Sequence, residues 1–263
     1  MSVNIHPTAL VSDSASLGTD VTIGPYCTVG ANVKIGDRVT LHSHVVIDGH
    51  TSLGAGGEVF PFAVLGCPPQ HTRYAGEEST LEIGTDCVIR EHVTMHPGTA
   101  IDSMCTRVGN NGLFLVASHI AHDCVIGDHA IFANNASLGG HAKIGDHVMM
   151  GGFATVQQWC RVGDHAMIAS QTAVDSDVIP FGIAVGNRAR LTGINVIGLE
   201  RRGFEASRIA AVRALYKELF RGNGVFADRL ARASSVYAGD SMADEVFSFI
   251  ADAGRNGICQ AHG

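Results

Sequence analysis

Large apolar residues recur every six positions along most of this chain. Stepping by six from Ile5 gives Val11, Leu17, Ile23, Val29, Ile35, Leu41, Ile47, Leu53, Val59 and Leu65. The frame resumes over Ile83, Ile89 and Met95, slips by one residue, and runs from Val108 through Phe114 and Ile120 to Val174. Four residues after each of these stands a small or β-branched one, as at Ala9, Ala15, Val21, Cys27 and Val33. Gly often follows directly, as at Gly18, Gly24, Gly30, Gly127 and Gly145. An amphipathic α-helix repeats every 3.6 residues, so it cannot produce a period of six. A short strand carrying one large residue inward, then a tight turn with a small residue at the corner, can. Three such units close a triangular coil, and coils stack at the strand spacing of about 4.8 Å.

The expected fold is mainly β, a parallel β-helix over residues 1–190, roughly 40 Å long at that spacing. Two segments break the frame and are read as loop insertions, 66–82 and 101–107. The repeat stops at Pro180, and Phe181–Leu191 reads as a turn-rich exit. The period then changes. Phe204, Ile209, Val212, Leu215, Tyr216, Leu219 and Phe220 mark one helix face, ended by Gly222 and Gly224. A second helix is expected over Phe226–Ser234. A third is expected from Ser241, capped with Asp244, to before Gly254. These make a C-terminal helical domain over 191–263, with 255–263 frayed.

Composition narrows the function. With 46% hydrophobic residues, the chain is not disordered. The net charge of −7 argues against a dedicated nucleic-acid binder. The charge is uneven: residues 188–221 hold eight Lys/Arg and three Asp/Glu, a local excess suited to an anionic partner. No apolar run is long enough for a transmembrane helix, and Met1-Ser2-Val3-Asn4 shows no secretory signal, so a cytoplasmic protein is expected. The seven Cys include no C-x-x-C pair, and Cys27, Cys87, Cys124 and Cys160 fall at the corner position as small buried hydrophobes.

The 14 His sort by stacking arithmetic. His129, His147 and His165 each follow Gly-Asp and lie one coil apart. They are expected to form a ladder on a solvated corner. Ser118-His119-Ile120-Ala121-His122-Asp123-Cys124 differs. Ile120 and Cys124 point inward, which places His119, His122 and Asp123 on the outer surface. One coil on from His122 is Gly140, and one coil on from Asp123 is His141. A His beside a carboxylate makes a general base, and a Gly N–H can approach a developing oxyanion. Together they suit acyl transfer.

The segments Ile5-His6-Pro7-Thr8-Ala9, His119–Cys124, Ala133-Asn134-Asn135-Ala136 and Asn195–Phe204 resemble the UDP-N-acetylglucosamine O-acyltransferase (LpxA) family of hexapeptide-repeat acyltransferases. The resemblance covers nearly the whole chain and implies a left-handed coil. It also implies a cytoplasmic homotrimer that moves a 3-hydroxyacyl chain from acyl carrier protein to the 3-hydroxyl of UDP-N-acetylglucosamine, the first step of lipid A biosynthesis. It implies no cofactor and no metal. By position, His122 matches the catalytic base, Asp123 its orienting carboxylate and Gly140 the oxyanion donor. His119, His141, Gln70, Arg73 and Gln158 match substrate contacts, and Asn195, Arg201 and Arg202 match the nucleotide- and phosphate-binding stretch. Ser170 falls at an acyl-chain ruler position, where a long-chain member has Gly. The chain departs from well-known members at His71 (Asp there), Gln157 (His), Ile197 (Glu) and Arg73 (Lys). Other readings are a related UDP-sugar as acceptor, the sister N-acyltransferase, a trimeric β-helical zinc enzyme of carbonic anhydrase type, or a scaffold with surface histidines. Cys124 faces the core and is not expected to act as a nucleophile.

Overall fold

A computed structural model describes residues 2–261. Nearly every six-residue unit contributes a two-residue strand that ends on the apolar residue of the frame, such as Thr22–Ile23, Thr28–Val29 and Lys34–Ile35. The strands form three sheets of eleven, nine and eight strands, here called A, B and C, which are parallel throughout except for one terminal hairpin. Strand partners are one coil apart in sequence: Thr22 pairs with Thr40, and Thr28 with Val46. The outward residue of most pairs is polar or half-exposed, while Ile23, Leu41, Ile47, Leu65, Ile89 and Phe114 fill the interior at 1% exposure or less. Cys27, Cys87, Cys124 and Cys160 are buried at the corners, as their spacing predicts. Many of the turns place a non-Gly residue at positive φ, among them Asp123 (+58°) and His129 (+57°). That conformation is uncommon for side-chain-bearing residues.

The first insertion is shorter than the frame suggests, and the second starts earlier and is slightly longer. Thr80–Ile83 and Cys105–Val108 are strands of sheet C; Thr80 pairs with His50 on one side and with Cys105 on the other. Leu81 and Ile83 both point inward, a period of two that marks strand rather than loop. The excursions are therefore 66–79 and 96–104.

The exit is a hairpin. Gly182–Val185 pairs in parallel with Met167–Ile168 and antiparallel with Arg190–Ile194, which carries sheet A past residue 190. Four helices follow: α1 (Val196–Arg201), α2 (Ala206–Arg221), α3 (Phe226–Val236) and α4 (Ser241–Ala251). The first has too little apolar periodicity to be read from sequence. The buried face of α2 carries Ile209, Val212, Leu215, Tyr216, Leu219 and Phe220, as expected. The cap of α4 is Asp240, whose carboxylate accepts the Met242 and Ala243 N–H groups, not Ser241 with Asp244. Residues 255–261 are docked rather than frayed: the Cys259 N–H donates to the Asp177 carbonyl, and the Leu191 N–H to that of Gln260. The last two residues of the expected frayed end lie outside the described residues. Arg161 ties α4 to the β-helix, through Asp177 at 2.8 Å and the Phe249 carbonyl at 2.9 Å. Among the described residues, no helix is long and apolar enough to cross a membrane.

Candidate active site

Both loops leave the β-helix at the corner between sheets B and C, after Leu65 and after Met95. Along that same corner, the next coils carry His122-Asp123, Gly140-His141 and Gln158-Trp159. The loops fold over the first of these turns. His122 and Asp123 are therefore buried, at 4% and 2% exposure, rather than open on the outer surface as the inward–outward alternation predicts. Their side chains leave the core as expected, but the loops cover them.

The Nδ1–H of His122 donates to Oδ2 of Asp123 at 2.9 Å. An ionised carboxylate only accepts, so this bond puts the proton on Nδ1 and leaves the Nε2 lone pair available. Thr99 of the second loop adds its N–H to Oδ1 at 3.0 Å and its hydroxyl to Oδ2 at 2.6 Å. Burial raises the Asp123 pKa, but the hydrogen bonds from His122 and Thr99 outweigh it and hold the carboxyl below its ordinary value. Gly140 lies against the imidazole, where a Cβ would stand 2.6 Å from Nε2. Among the described residues its N–H donates to no backbone carbonyl or side chain. The one-coil spacing of His122 and Gly140 thus brings an imidazole nitrogen and an unpaired amide together.

A cleft of about 330 Å³ opens beside this pair, lined by Gln70, His96, His119, His122, Gly140 and Gln158, with Ser137 and Thr155 on the sheet B side. Five residues named from sequence meet here. His119 shares a hydrogen with the Thr94 hydroxyl at 2.8 Å, and its pKa is lowered by burial and by His96 and His122. Burial therefore favours its neutral form. Arg73 is exposed on the first loop and does not line the cleft. His141 lies across from it: its Nδ1 meets Asp102 at 3.0 Å, its ring stacks on Trp159 at 3.8 Å and meets His122 edge-on at 4.9 Å. His71 packs edge-on to His122 from the other side at 4.9 Å. Thr99, Asp102, His96 and Trp159 were not singled out by sequence reasoning. The loops lengthen the step between coils, so stacking arithmetic cannot connect the first three to His122.

The remaining expected residues lie elsewhere in the chain. Asn195 caps α1, accepting the Gly198 N–H and donating to the His165 carbonyl at 2.9 Å. Arg202 is half-buried; its Nη2 donates to the His147 carbonyl at 2.8 Å, while its Nη1 is buried without a partner. Arg201 is exposed. Ser170 is exposed at the corner between sheets A and B, the opposite edge of sheet B from His122. Ile197 is exposed, and Gln157 lines a separate cleft with Asn187 and Arg188. The histidine ladder forms, with rings 4.6 Å and 4.9 Å apart, but only one end is solvated. His165 is covered by Phe204 and Phe181, and its pKa falls to about 4 through burial and the nearby Arg202 and His147 charges.

His122, Asp123 and His141 bring donor atoms within 4.8 Å of one another, a spacing open to a metal ion. Those atoms are instead directed at one another and at Thr99 and Asp102. Cys124 is fully buried beneath them, its thiol pushed by burial up to about 12.

Residues 3–49 match the bacterial transferase hexapeptide family (six repeats), and residues 177–259 match domain 2 of UDP N-acetylglucosamine O-acyltransferase. An acyl-[acyl-carrier-protein]–UDP-N-acetylglucosamine O-acyltransferase of Azorhizobium caulinodans is 50% identical over 97% of this chain and 94% of its own. The enzyme so named in Caulobacter vibrioides is 46% identical over 98% of both chains. The chain belongs to the UDP-N-acetylglucosamine O-acyltransferase family. A member of that family of known structure, from Moraxella catarrhalis, superposes with a TM-score of 0.94 at 38% identity, covering 97% of this chain and 99% of the other. A second, from Acinetobacter baumannii, gives 0.93 at 39%, covering 97% and 99%. The family resemblance read from the His119–Cys124 and Asn195–Phe204 segments is borne out across the chain, helical tail included.

Proposed function

We infer that this enzyme transfers a 3-hydroxyacyl chain from acyl carrier protein to the 3-hydroxyl of UDP-N-acetylglucosamine, the entry reaction of lipid A biosynthesis. The observation that carries the mechanism is one imidazole held between a carboxylate and a glycine N–H. Nε2 of His122 takes the proton of the sugar hydroxyl as its oxygen attacks the thioester carbonyl. The oxyanion that forms is met by the Gly140 N–H. Collapse breaks the C–S bond, and the imidazolium returns its proton to the departing thiolate. Asp123 fixes the tautomer and stabilises the imidazolium. Every step runs through His122, so no acyl-enzyme is required, in keeping with a core-facing Cys124.

His119, Gln70 and Gln158 line the cleft that receives the reacting ends, and Arg73 and His141 flank it. Asn195, Arg201 and Ser170 do not line the His122 cleft of their own chain. In a homotrimer, where a neighbour presents its corner to this cleft, they complete the site; Arg201 extends to the nucleotide phosphates, and Ser170 limits acyl length. Arg202 supports this stretch from beneath. The exposed Arg190, Arg201, Arg208, Arg213 and Lys217 supply the basic surface for the acidic carrier protein in the cytoplasm.

The test is transfer from 3-hydroxyacyl carrier protein, scored against UDP-N-acetylglucosamine and related UDP-sugars, with and without a chelator. Transfer to UDP-N-acetylglucosamine that survives chelation supports the reading. A rate no greater with it than with buffer alone overturns it. A stable monomer at micromolar concentration in sedimentation overturns the shared-site arrangement.

A further inference from the structure

The second loop makes contacts at the catalytic corner that the reaction above leaves unused. The Asp123 carboxylate is held at a turn with φ +58° and is removed from solvent. Two of its three donors come from a single residue, Thr99, itself fully buried. Three residues further along the loop, Asp102 accepts the Nδ1–H of His141. That same nitrogen is 3.8 Å from Oδ2 of Asp123. His141 thus stands between two carboxylates, and Asp102 draws its proton away from the one that serves His122. The loop is itself pinned, because the Ala100 N–H donates to Glu77 of the first loop at 3.0 Å.

We propose that Thr99 and Asp102 are positioning residues for catalysis: Thr99 keeps Asp123 ionised and aligned on His122, and Asp102 keeps His141 from competing for Asp123. The proposal rests on the acyl-transfer reading. The titratable groups facing Asp123 are His122 from its own turn, His141 from the next coil with Asp102 behind it, and Cys124 on the core side; His71 of the first loop packs on His122. A buried carboxylate that loses a donor ionises less readily, so its proton stays on to higher pH. A protonated Asp123 no longer fixes His122 with its Nε2 lone pair toward substrate.

The experiment compares Thr99→Val, Thr99→Ser, Asp102→Ala, Asp102→Asn and His122→Ala in the full-length enzyme, with melting followed alongside. Thr99→Val, which keeps shape and removes the hydroxyl, should lower kcat about tenfold with KM within about twofold, since a hydrogen bond to a charged group is lost. The acid limb of kcat/KM should move up by about one pH unit. Thr99→Ser should restore both. Asp102→Ala should lower kcat about threefold or more, whereas Asp102→Asn, whose amide oxygen still accepts from His141, should retain most of it. Asp102 is exposed on a loop, so its variants keep the test open should Thr99→Val not fold. An unmoved acid limb in Thr99→Val, Thr99→Ser as impaired as Val, or Asp102→Ala equal to wild type would overturn the proposal. If His122→Ala is also fully active, the acyl-transfer reading itself has failed; if His122→Ala is inactive, only the positioning roles have.

Discussion

A Cβ on Gly140 would stand 2.6 Å from Nε2 of His122, so this turn has room for a backbone amide and for nothing larger beside the imidazole. Gly140→Ala must therefore push His122 out of line and shield the N–H proposed to meet the oxyanion. Removing one oxyanion donor commonly costs about 10²–10³ in rate, and a loss of that order in kcat is expected, with the far-ultraviolet circular dichroism unchanged. Activity within a few-fold of wild type would show that Gly140 faces no reacting atom.

Glu245 of α4 faces sheet C beside Asp164, with one carboxylate oxygen buried and unpartnered. Burial, then Asp164 and Asp146, push its pKa up to about 7 from 4.5. The folded state holds this proton more tightly than the unfolded chain, so stability falls as pH rises from about 4.5 through 7 and stays reduced above. Glu245→Gln should raise the unfolding free energy from urea titration at pH 8 by up to about 3 kcal/mol, and change it little at pH 4.5. An equal effect at both pH values would mean that the carboxyl is not perturbed.

His165 behaves in the opposite sense. Its pKa is about 4 in the fold against 6.5 for the free side chain, so the unfolded chain gains a proton that the folded one refuses. Stability should fall as pH drops from about 6.5 to 4 and level off below. The ring sits among Phe181 and Phe204 with Nδ1 buried and unpartnered, and Phe153 shows that this turn conformation accepts Phe. His165→Phe should flatten that acid slope in urea titrations at pH 7, 5.5 and 4.5. An unchanged slope would assign the acid sensitivity to other groups.

The β-helix was legible because one physical requirement, a large residue inside and a small one at the corner, repeats from Ile5 to Val174. The same arithmetic placed Gly140 beside His122. It failed where the step between coils changes. Thr80–Glu82 reads as loop in the sequence because the interruption in the period of six hides a period of two at Leu81 and Ile83. The packing of His71 on His122 and of Thr99 on Asp123 is not readable from sequence, since loop conformation obeys no repeat. The spacing of His129, His147 and His165 shows the stack but not the covering of its His165 end, because the packing of Phe204 there depends on how the helical tail returns. Asn195 and Arg202 carried a family signature, while their bonds to the His165 and His147 carbonyls appear only in three dimensions.

The central claim is that His122 is the base of an acyl transfer. It is tested most directly by the kcat/KM of purified His122→Ala for transfer from 3-hydroxyacyl carrier protein to UDP-N-acetylglucosamine, with oligomeric state and melting verified. General base catalysis is worth about 10²–10⁴-fold, and a loss of that size in a fully folded protein is the predicted result. A value within about threefold of wild type would contradict it.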